Sequence, residues 1–502
     1  MDLNVGRILY DRANISGSKV GFVRDGMQFT FSEMNRRANG FAYYLENANF
    51  EKGDKIAILC KNNEDAIASF FGAAKKGIIT VMLNWRLPAT EIARLVAHSE
   101  AKLVIFDASF DSIVEELRSM CENVQFISHK TAPSLMMIYK LNVEEPTYEG
   151  AGDEPILIMY TSGTTGMPKG ALISHRNLIA SSIGMTYSID WYEKDRFLMI
   201  APFFNISGFA PLVTNVHIGA TMVLSEVFDP VFIWKLIEQE RITNMMTIPA
   251  MLTFLMKTYP MLKPDISSIR DITCGAGIVP VHLILAFSEL GISVQQVYGT
   301  TEYSGAVSFW KASQNKMKYM SVGKPVMHGQ VQIIDPTTGE LCDNGEIGEI
   351  VATGPQVFVG YYKNEEATAE ALREGRLHTG DLGYFDRDGF LHVVDRLKDV
   401  IIYGNDRIYS SEVERVLLEH PLIDEVAVIG MPNDEFGEIP KAIIVKKLGS
   451  RLTEEDVKAF CIEKLEANKC VREVEFVGEL PRNAIGKVMK QRLKTTIDSV
   501  LD

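Results

Sequence analysis

The chain reads as an α/β protein. A large N-terminal domain holds two doubly wound subdomains and a small β-barrel-like subdomain, and a small α+β domain follows at the C-terminus. Three observations predict this. Short apolar runs alternate with helical patterns through roughly the first 300 residues, the signature of parallel sheets with helices on their faces. After about residue 320 the segments shorten and turn signals crowd in. Beyond the polar run Asp395-Arg396-Leu397-Lys398-Asp399, helix and strand patterns return over the last hundred or so residues.

Each element has a local cause. Thr30-Phe31-Ser32-Glu33 is a capping box, and Met34, Ala38, Phe41 and Leu45 follow it at helical spacing. Lys55 to Cys60 is an apolar run after Gly53-Asp54 and predicts a buried strand. A helix is expected from Glu64 to Lys76, stopped by Gly77. Thr80 to Leu83 and Leu103 to Phe106 predict further strands, with a helix from Glu91 to His98 between them. Pro155 to Tyr160 predicts a strand that runs into a Gly/Thr-rich loop, with a helix from about Asn177. Strands are expected at Arg196–Ile200, Thr221–Leu224, Asp271–Cys274 and Val294–Tyr298, and a strand then a helix within Arg241–Met256. Asp343-Asn344-Gly345 and Asp386-Arg387-Asp388-Gly389 are turns around strands such as Gly348–Ala352. The last part predicts helices at Ser411–Glu419 and Glu454–Leu465, and strands at Glu425–Met431, Lys441–Lys446 and Glu473–Val477.

Composition narrows the class. With 502 residues the length suggests about three compact units, enough to bury a core without staples. Lys+Arg is 51 against 65 Asp+Glu, a formal charge of −14 that gives no general attraction to nucleic acid or to an anionic membrane. Any polyphosphate must therefore be held by local donors. No run of about 18 apolar residues occurs, so no integral membrane segment is expected. The N-terminus lacks a charged segment followed by an apolar one. Cys60, Cys121, Cys274, Cys342, Cys461 and Cys470 form no CxxC pair, which fits reduced thiols and a cytoplasmic location.

The strongest chemical signal is Tyr160-Thr161-Ser162-Gly163-Thr164-Thr165-Gly166-Met167-Pro168-Lys169-Gly170. Glycines let backbone N–H groups approach phosphate oxygens, and hydroxyls and a lysine add donors. Pro168 breaks the Walker A register. Alone, such a loop could equally be a solvated surface turn. Other motifs accompany it: Gly275-Ala276-Gly277, Tyr298-Gly299-Thr300-Thr301-Glu302, Thr379-Gly380-Asp381, the run from Asp395 to Asp399, and Pro481-Arg482-Asn483-Ala484-Ile485-Gly486-Lys487. In this order they closely resemble the adenylate-forming superfamily of acyl-CoA synthetases, luciferases and peptide-synthetase adenylation domains, from about Gly26 to Leu493.

The resemblance implies ATP, Mg²⁺ and coenzyme A as reactants and cofactor. It implies that Thr161, Ser162, Gly163, Thr164, Thr165, Gly166 and Lys169 face the phosphates, and that Gly275, Ala276, Gly277, Tyr298, Gly299 and Thr300 line the nucleotide site. Glu302 and Thr165 are the implied magnesium ligands, and Thr301 acts near the α-phosphate. Asp381 accepts from the ribose hydroxyls, which suits an acceptor-only carboxylate, and Arg396 contacts ribose or phosphate. Lys487 is the implied catalytic lysine and Lys398 the hinge, dividing residues 1–397 from a mobile lid at 398–502. Ala201-Pro202-Phe203-Phe204-Asn205-Ile206-Ser207-Gly208 resembles the segment beside the acyl pocket. Phe204, Asn205, Ile206, Phe209, Ile278, Gly305 and Ala306 are its expected walls, with no Arg or Lys among them. An uncharged medium-chain, aromatic or alicyclic acyl group follows.

Three departures stand out. Asn205 occupies the place of a gating His, Asn405 and Ser410 replace a Gly and a Pro of the hinge loop, and Asn483 and Ile485 replace a Thr and a Ser of the last motif. The leading expectation is an AMP-forming acid–CoA ligase acting on a small carboxylate, as a monomer or homodimer. A stand-alone enzyme loading a carrier protein and a non-catalytic nucleotide-binding protein are the alternatives. A luciferase-type oxygenase would need a specialised acyl pocket, which no feature demands.

Overall fold

The computed structural model describes residues 3–161, 168–277, 279–404, 406–482 and 488–494. The chain forms two compact units. One is Met1–Val331 with Ala352–His378, the other Gln332–Val351 with Thr379–Asp502.

The first unit carries two large sheets. In the nine-stranded sheet, Ser293–Thr300, Asp271–Gly275, Asn244–Thr247, Arg196–Met199, Thr221–Leu224 and Val20–Arg24 lie side by side and parallel. In the seven-stranded sheet, Pro155–Thr161, Ile79–Met82, Lys55–Leu59, Ala101–Phe106 and Gln125–Ile127 are parallel neighbours. Neither sheet is purely parallel, as alternation alone would suggest. Met27–Thr30, Gly305–Trp310 and Lys169–Ser174 add antiparallel edges through hairpins that strand–helix alternation does not signal.

One core joins the sheets. Ile56 and Ile58 of the seven-stranded sheet and Phe22, Met199 and Met222 of the nine-stranded sheet belong to a single buried cluster. This sharing explains one large unit where length suggests more. Each fully buried Phe or Leu there contributes about 1.5–3 kcal/mol, so Phe70 or Phe71 cut to Ala would cost about 3–5 kcal/mol.

Several helices begin where a side chain satisfies one of their first N–H groups. Thr30 Oγ1 accepts from Glu33 N at 3.1 Å and starts Phe31–Asn47. Asn63 caps Glu64–Lys75, and a full capping box between Ser174 and Asn177 starts His175–Ser188. That box moves the start two residues ahead of the sequence expectation.

The second unit has its own core. Ile423–Asn433 and Gly437–Lys446 form its long hairpin, with Ile401–Tyr403 and Glu473–Val477 also paired to Gly437–Lys446. Val413 and Leu417 of the helix Ser410–Leu417 pack onto this sheet beside Ile401, Val428 and Ile444. The turn-rich region forms a five-stranded sheet in the order Gln330–Ile334, Gly348–Thr353, Arg376–Phe385, Leu372–Arg373, with Leu391–Arg396 also paired to Arg376–Phe385. No helix among the described residues is long and apolar enough to cross a membrane.

One buried contact ties the first helix to the core. Val5 N donates to His175 Nδ1 at 3.0 Å, and His175 is fully buried. The ring must be neutral to accept there. Burial, helped by Lys52, lowers its pKa from 6.5 to about 4. An unfolded His binds a proton below about pH 6.5 while the folded one does not, so stability present above that pH is lost as pH falls toward 4. The difference amounts to about 3 kcal/mol when complete. His175→Gln, which keeps an acceptor without the titration, is expected to flatten the loss of urea stability between pH 6.5 and 4. An unchanged pH profile in the variant would exclude His175 as the source.

Candidate active site

The parallel strands place the motifs. In the nine-stranded sheet, the Ile200–Asn205 segment follows Arg196–Met199, Gly275-Ala276-Gly277 ends and follows Asp271–Gly275, and the Tyr298 motif ends Ser293–Thr300. All emerge at carboxyl ends of parallel strands, where open α/β sheets bind ligands. Gly275 is register partner of Val297, so its segment and the Tyr298 motif leave the sheet side by side. In the seven-stranded sheet, Ile79–Met82 and Pro155–Thr161 are parallel neighbours. Their carboxyl ends lead to Trp85-Arg86 and to the Gly/Thr-rich loop.

Glycines here answer to close approach. A Cβ at Gly275 would lie 2.4 Å from Val297 Cγ1, and one at Gly299 would lie 2.3 Å from the Gly305 carbonyl oxygen. Ala276 takes a left-handed φ of 62° at the turn between Gly275 and Gly277.

The loop's two ends are fixed. Thr161 pairs with Lys169 across the antiparallel ladder, and Thr161 Oγ1 donates to Lys169 O at 3.3 Å. Ser162, Gly163, Thr164, Thr165 and Gly166 between them lie outside the described residues, as do Ile278, Asn405, Asn483, Ile485 and Lys487.

Glu302 sits in the 3-10 turn Thr301–Tyr303. Both carboxylate oxygens accept hydroxyl hydrogen bonds: Oε1 from Tyr361 at 2.7 Å and Oε2 from Thr300. Its backbone oxygen accepts from Phe358 N at 2.9 Å. The Lys169 ammonium lies 5.3 Å from the centre of the Tyr361 ring. Burial, then the Glu302 charge, pushes the Tyr361 phenol well above its usual range, so it stays a donor. Tyr361 is a residue that sequence reasoning missed. Its signal was a lone Gly360-Tyr361 pair far along the chain.

The segment around Phe204, expected to wall the acyl pocket, is aromatic. Trp85 meets Phe204 edge to face at 5.7 Å, and the Arg86 guanidinium lies 5.0 Å from the Trp85 ring and 5.8 Å from the Phe204 ring. Arg86 lies outside the expected wall residues and sets a cation beside the Trp85 and Phe204 rings. Phe204, Ile206 and Ala306 are buried, and Phe209 packs edge to face on Phe70 at 4.6 Å inside the main core. Gly305, at φ 134°, leaves room for Ser181 Oγ, which a Cβ would approach to 2.9 Å. Asn205 caps the helix Ile206–Ile218 with its backbone oxygen, which accepts from Gly208 N and Phe209 N. Asn62, from the loop after Lys55–Leu59, holds this region: its Nδ2 donates to Ala201 O at 2.9 Å and its Oδ1 accepts from Phe203 N at 2.9 Å. Cys274 is fully buried and burial pushes its thiol up, so it is no nucleophile.

In the second unit, Asp381 and Arg396 are cross-strand partners, with Arg396 Nε 3.3 Å from Asp381 Oδ1. The turn before them is set by Gly380 at φ 69°, whose N–H donates to Glu349 Oε1 at 3.1 Å. Lys398 lies in the 3-10 turn Leu397–Asp399.

Known proteins resemble this chain over nearly its whole length. Residues 9–362 match the AMP-binding enzyme family, and residues 412–487 match the AMP-binding enzyme C-terminal domain. YdaB of Bacillus subtilis strain 168, provisionally named an acyl–CoA ligase, is 37% identical over 97% of both chains. The 2-succinylbenzoate–CoA ligase of Bacillus cereus strain ATCC 14579 is 33% identical over 98% of both. Among solved structures, the o-succinylbenzoate CoA synthetase of Bacillus subtilis is similar in two states. In complex with its acyl-adenylate intermediate it is 30% identical over 98% of both chains, with a TM-score of 0.87. In complex with ATP and magnesium ion it is 31% identical over 97% of this chain and 99% of that one, also at 0.87. With matches of this extent in both parts of the sequence, the chain belongs to the AMP-binding enzyme family.

Proposed function

We propose that the chain is an ATP-dependent carboxylic acid–CoA ligase that forms acyl-CoA through an acyl-adenylate and releases AMP and pyrophosphate. The observation that carries this reading is Glu302, held on both oxygens by Thr300 and Tyr361, with the ammonium of Lys169, at the exit of the Gly/Thr-rich loop, over the Tyr361 ring. The named reactions of the relatives support it. The acyl group is aromatic or alicyclic. The Trp85–Phe204 pair and the aryl acid named for the relatives favour that class.

The residues suit the chemistry. A carboxylate oxygen forms a bond to the α-phosphorus as the oxygen bridging to pyrophosphate leaves. Both reactants are anions, and an ammonium from Lys487 offsets their repulsion in the manner of a preorganised electrostatic site. Thr161, Ser162, Gly163, Thr164, Thr165, Gly166 and Lys169 hold the phosphates, Thr301 acts at the α-phosphate, and Tyr298 with Gly275-Ala276-Gly277 holds adenine. Asp381 accepts from the ribose hydroxyls and Arg396 steadies it. Glu302 and Thr165 fit Mg²⁺ through oxygen donors. Mg²⁺ is usually held by one or two carboxylates together with substrate phosphates, so a single Glu302 suits MgATP. When bound, the ion neutralises phosphate charge. In the second half-reaction the coenzyme A sulfur attacks the acyl carbon, and AMP leaves with the adenylate oxygen. Thiols titrate near about pH 8.5, so no cysteine of the enzyme is needed. A lid from 398 to 502, turning at Lys398, would exchange Lys487 for the thiol path.

AMP formation with MgATP is expected to require both an aromatic or alicyclic acid and CoA. Pyrophosphate release that ignores CoA would favour a carrier-loading enzyme. Silence toward every acid of a panel spanning short, medium, aromatic and alicyclic acids would favour a binding protein without turnover.

Lys487→Ala is expected to lower acid-dependent pyrophosphate release by about 10²–10³-fold, the size of losing one charge-stabilising donor. The same variant should convert supplied acyl-adenylate to thioester at close to the native rate. Equal loss in both assays would remove Lys487 from its adenylation role.

A further inference from the structure

Tyr361 touches three parts of the site at once. Its strand, Gly360–Tyr361, pairs antiparallel with Lys169–Ser174, with Tyr361 opposite Ala171. Its ring stands edge to face with Phe358 at 4.9 Å, and Phe358 N holds the Glu302 backbone oxygen. Its N–H donates to Thr368 Oγ1 at 2.8 Å, and its hydroxyl donates to Glu302 Oε1 at 2.7 Å. The ring is thus fixed from the backbone outward before it reaches the carboxylate.

The consequence concerns direction. A carboxylate on a short turn can rotate about its last bond, and only some orientations aim a lone pair at a cation. Here one hydroxyl fixes each oxygen, Tyr361 on Oε1 and Thr300 on Oε2. An ionised carboxylate offers about four acceptor positions, so two protein donors leave lone pairs for a metal. A phenol adds no charge of its own to the site. Hydrogen-bond partners behind a metal-binding carboxylate typically contribute 10–100-fold to metal affinity.

We infer that Tyr361 is a positioning residue for magnesium: its hydroxyl orients the Glu302 carboxylate toward the MgATP ion, while its ring seats the Lys169 ammonium. The inference rests on the adenylate-forming reading of the site. It goes beyond that reading, which gives Tyr361 no role.

Tyr361→Phe removes the hydroxyl and keeps the ring. ATP binding to the full-length protein is measured by calorimetry with Mg²⁺ and again with EDTA. The variant is expected to bind MgATP about tenfold more weakly than the native chain, with metal-free ATP affinity and the thermal midpoint of the free protein unchanged. Equal MgATP affinity in native and Tyr361→Phe proteins would overturn the assignment. So would an equal loss with and without Mg²⁺, which marks a packing role. A native protein that binds no ATP at all would overturn the adenylate-forming reading first and the Tyr361 role with it.

Discussion

Parallel strands all end on one side of a sheet, and that constraint organises this molecule. Six strands of one sheet and five of the other run parallel, so the chain has carboxyl-end loops wherever it needs ligand contacts. A parallel sheet must be covered on both faces, which forces the strands to be apolar throughout. Ile56 to Leu59 and Asp271 to Gly275 are buried along their whole length for that reason. The polar chemistry is expelled to the strand ends. Asn62 then links the loops of the two sheets, because its side chain crosses from one to the Ala201–Phe203 backbone of the other. A buried amide in that place is stable only when its partners are met, so loop and sheet are specified together.

What was legible in the sequence follows from the same logic. Thr221–Leu224 and Glu473–Val477 were predicted with their observed bounds because each is a short run closed by turn residues or charge. The helix at Glu64 was legible from its apolar spacing and from Gly77, which takes φ 64° just past its end. Long-range pairing was not legible. Val20–Arg24 and Met27–Thr30 form a hairpin on Asp25-Gly26, yet Val20–Arg24 also joins Thr221–Leu224, two hundred residues away. Periodicity reports which face is buried, not against what.

The site divides in the same way. Glu302, Thr300 and Lys169 were readable because glycines, hydroxyls and charges cluster in short motifs. Tyr361, Asn62 and Arg86 were not, since each acts through a contact with a residue distant in sequence. Tyr361 reaches Glu302 across 59 positions and Asn62 reaches Phe203 across 141. Their residue types are ordinary surface or core choices until the fold brings the partners together. Arg86 follows Trp85 in sequence, yet its guanidinium also lies 5.8 Å from the Phe204 ring.

Departures from the family's motifs are settled by partners rather than by type. Ser410 stands where a proline is common, and it is fully buried. A proline there would leave the helix start intact but would offer no hydrogen bond. Ser410 Oγ donates to Asp395 Oδ2 at 2.8 Å and accepts from Lys490 Nζ at 2.7 Å. Lys490 in turn pairs with Glu414 Oε1 at 2.6 Å; burial raises the Glu414 carboxyl, and the Lys490 ammonium offsets only part of that. The chain Asp395–Ser410–Lys490–Glu414 therefore satisfies a set of groups that would be expensive to bury singly. It joins the strand before Lys398, the helix after it and the segment that follows Lys487, all within the second unit. A serine in place of proline exchanges backbone rigidity for a polar link, and that exchange is sound only because Asp395 and Lys490 are both present to receive it.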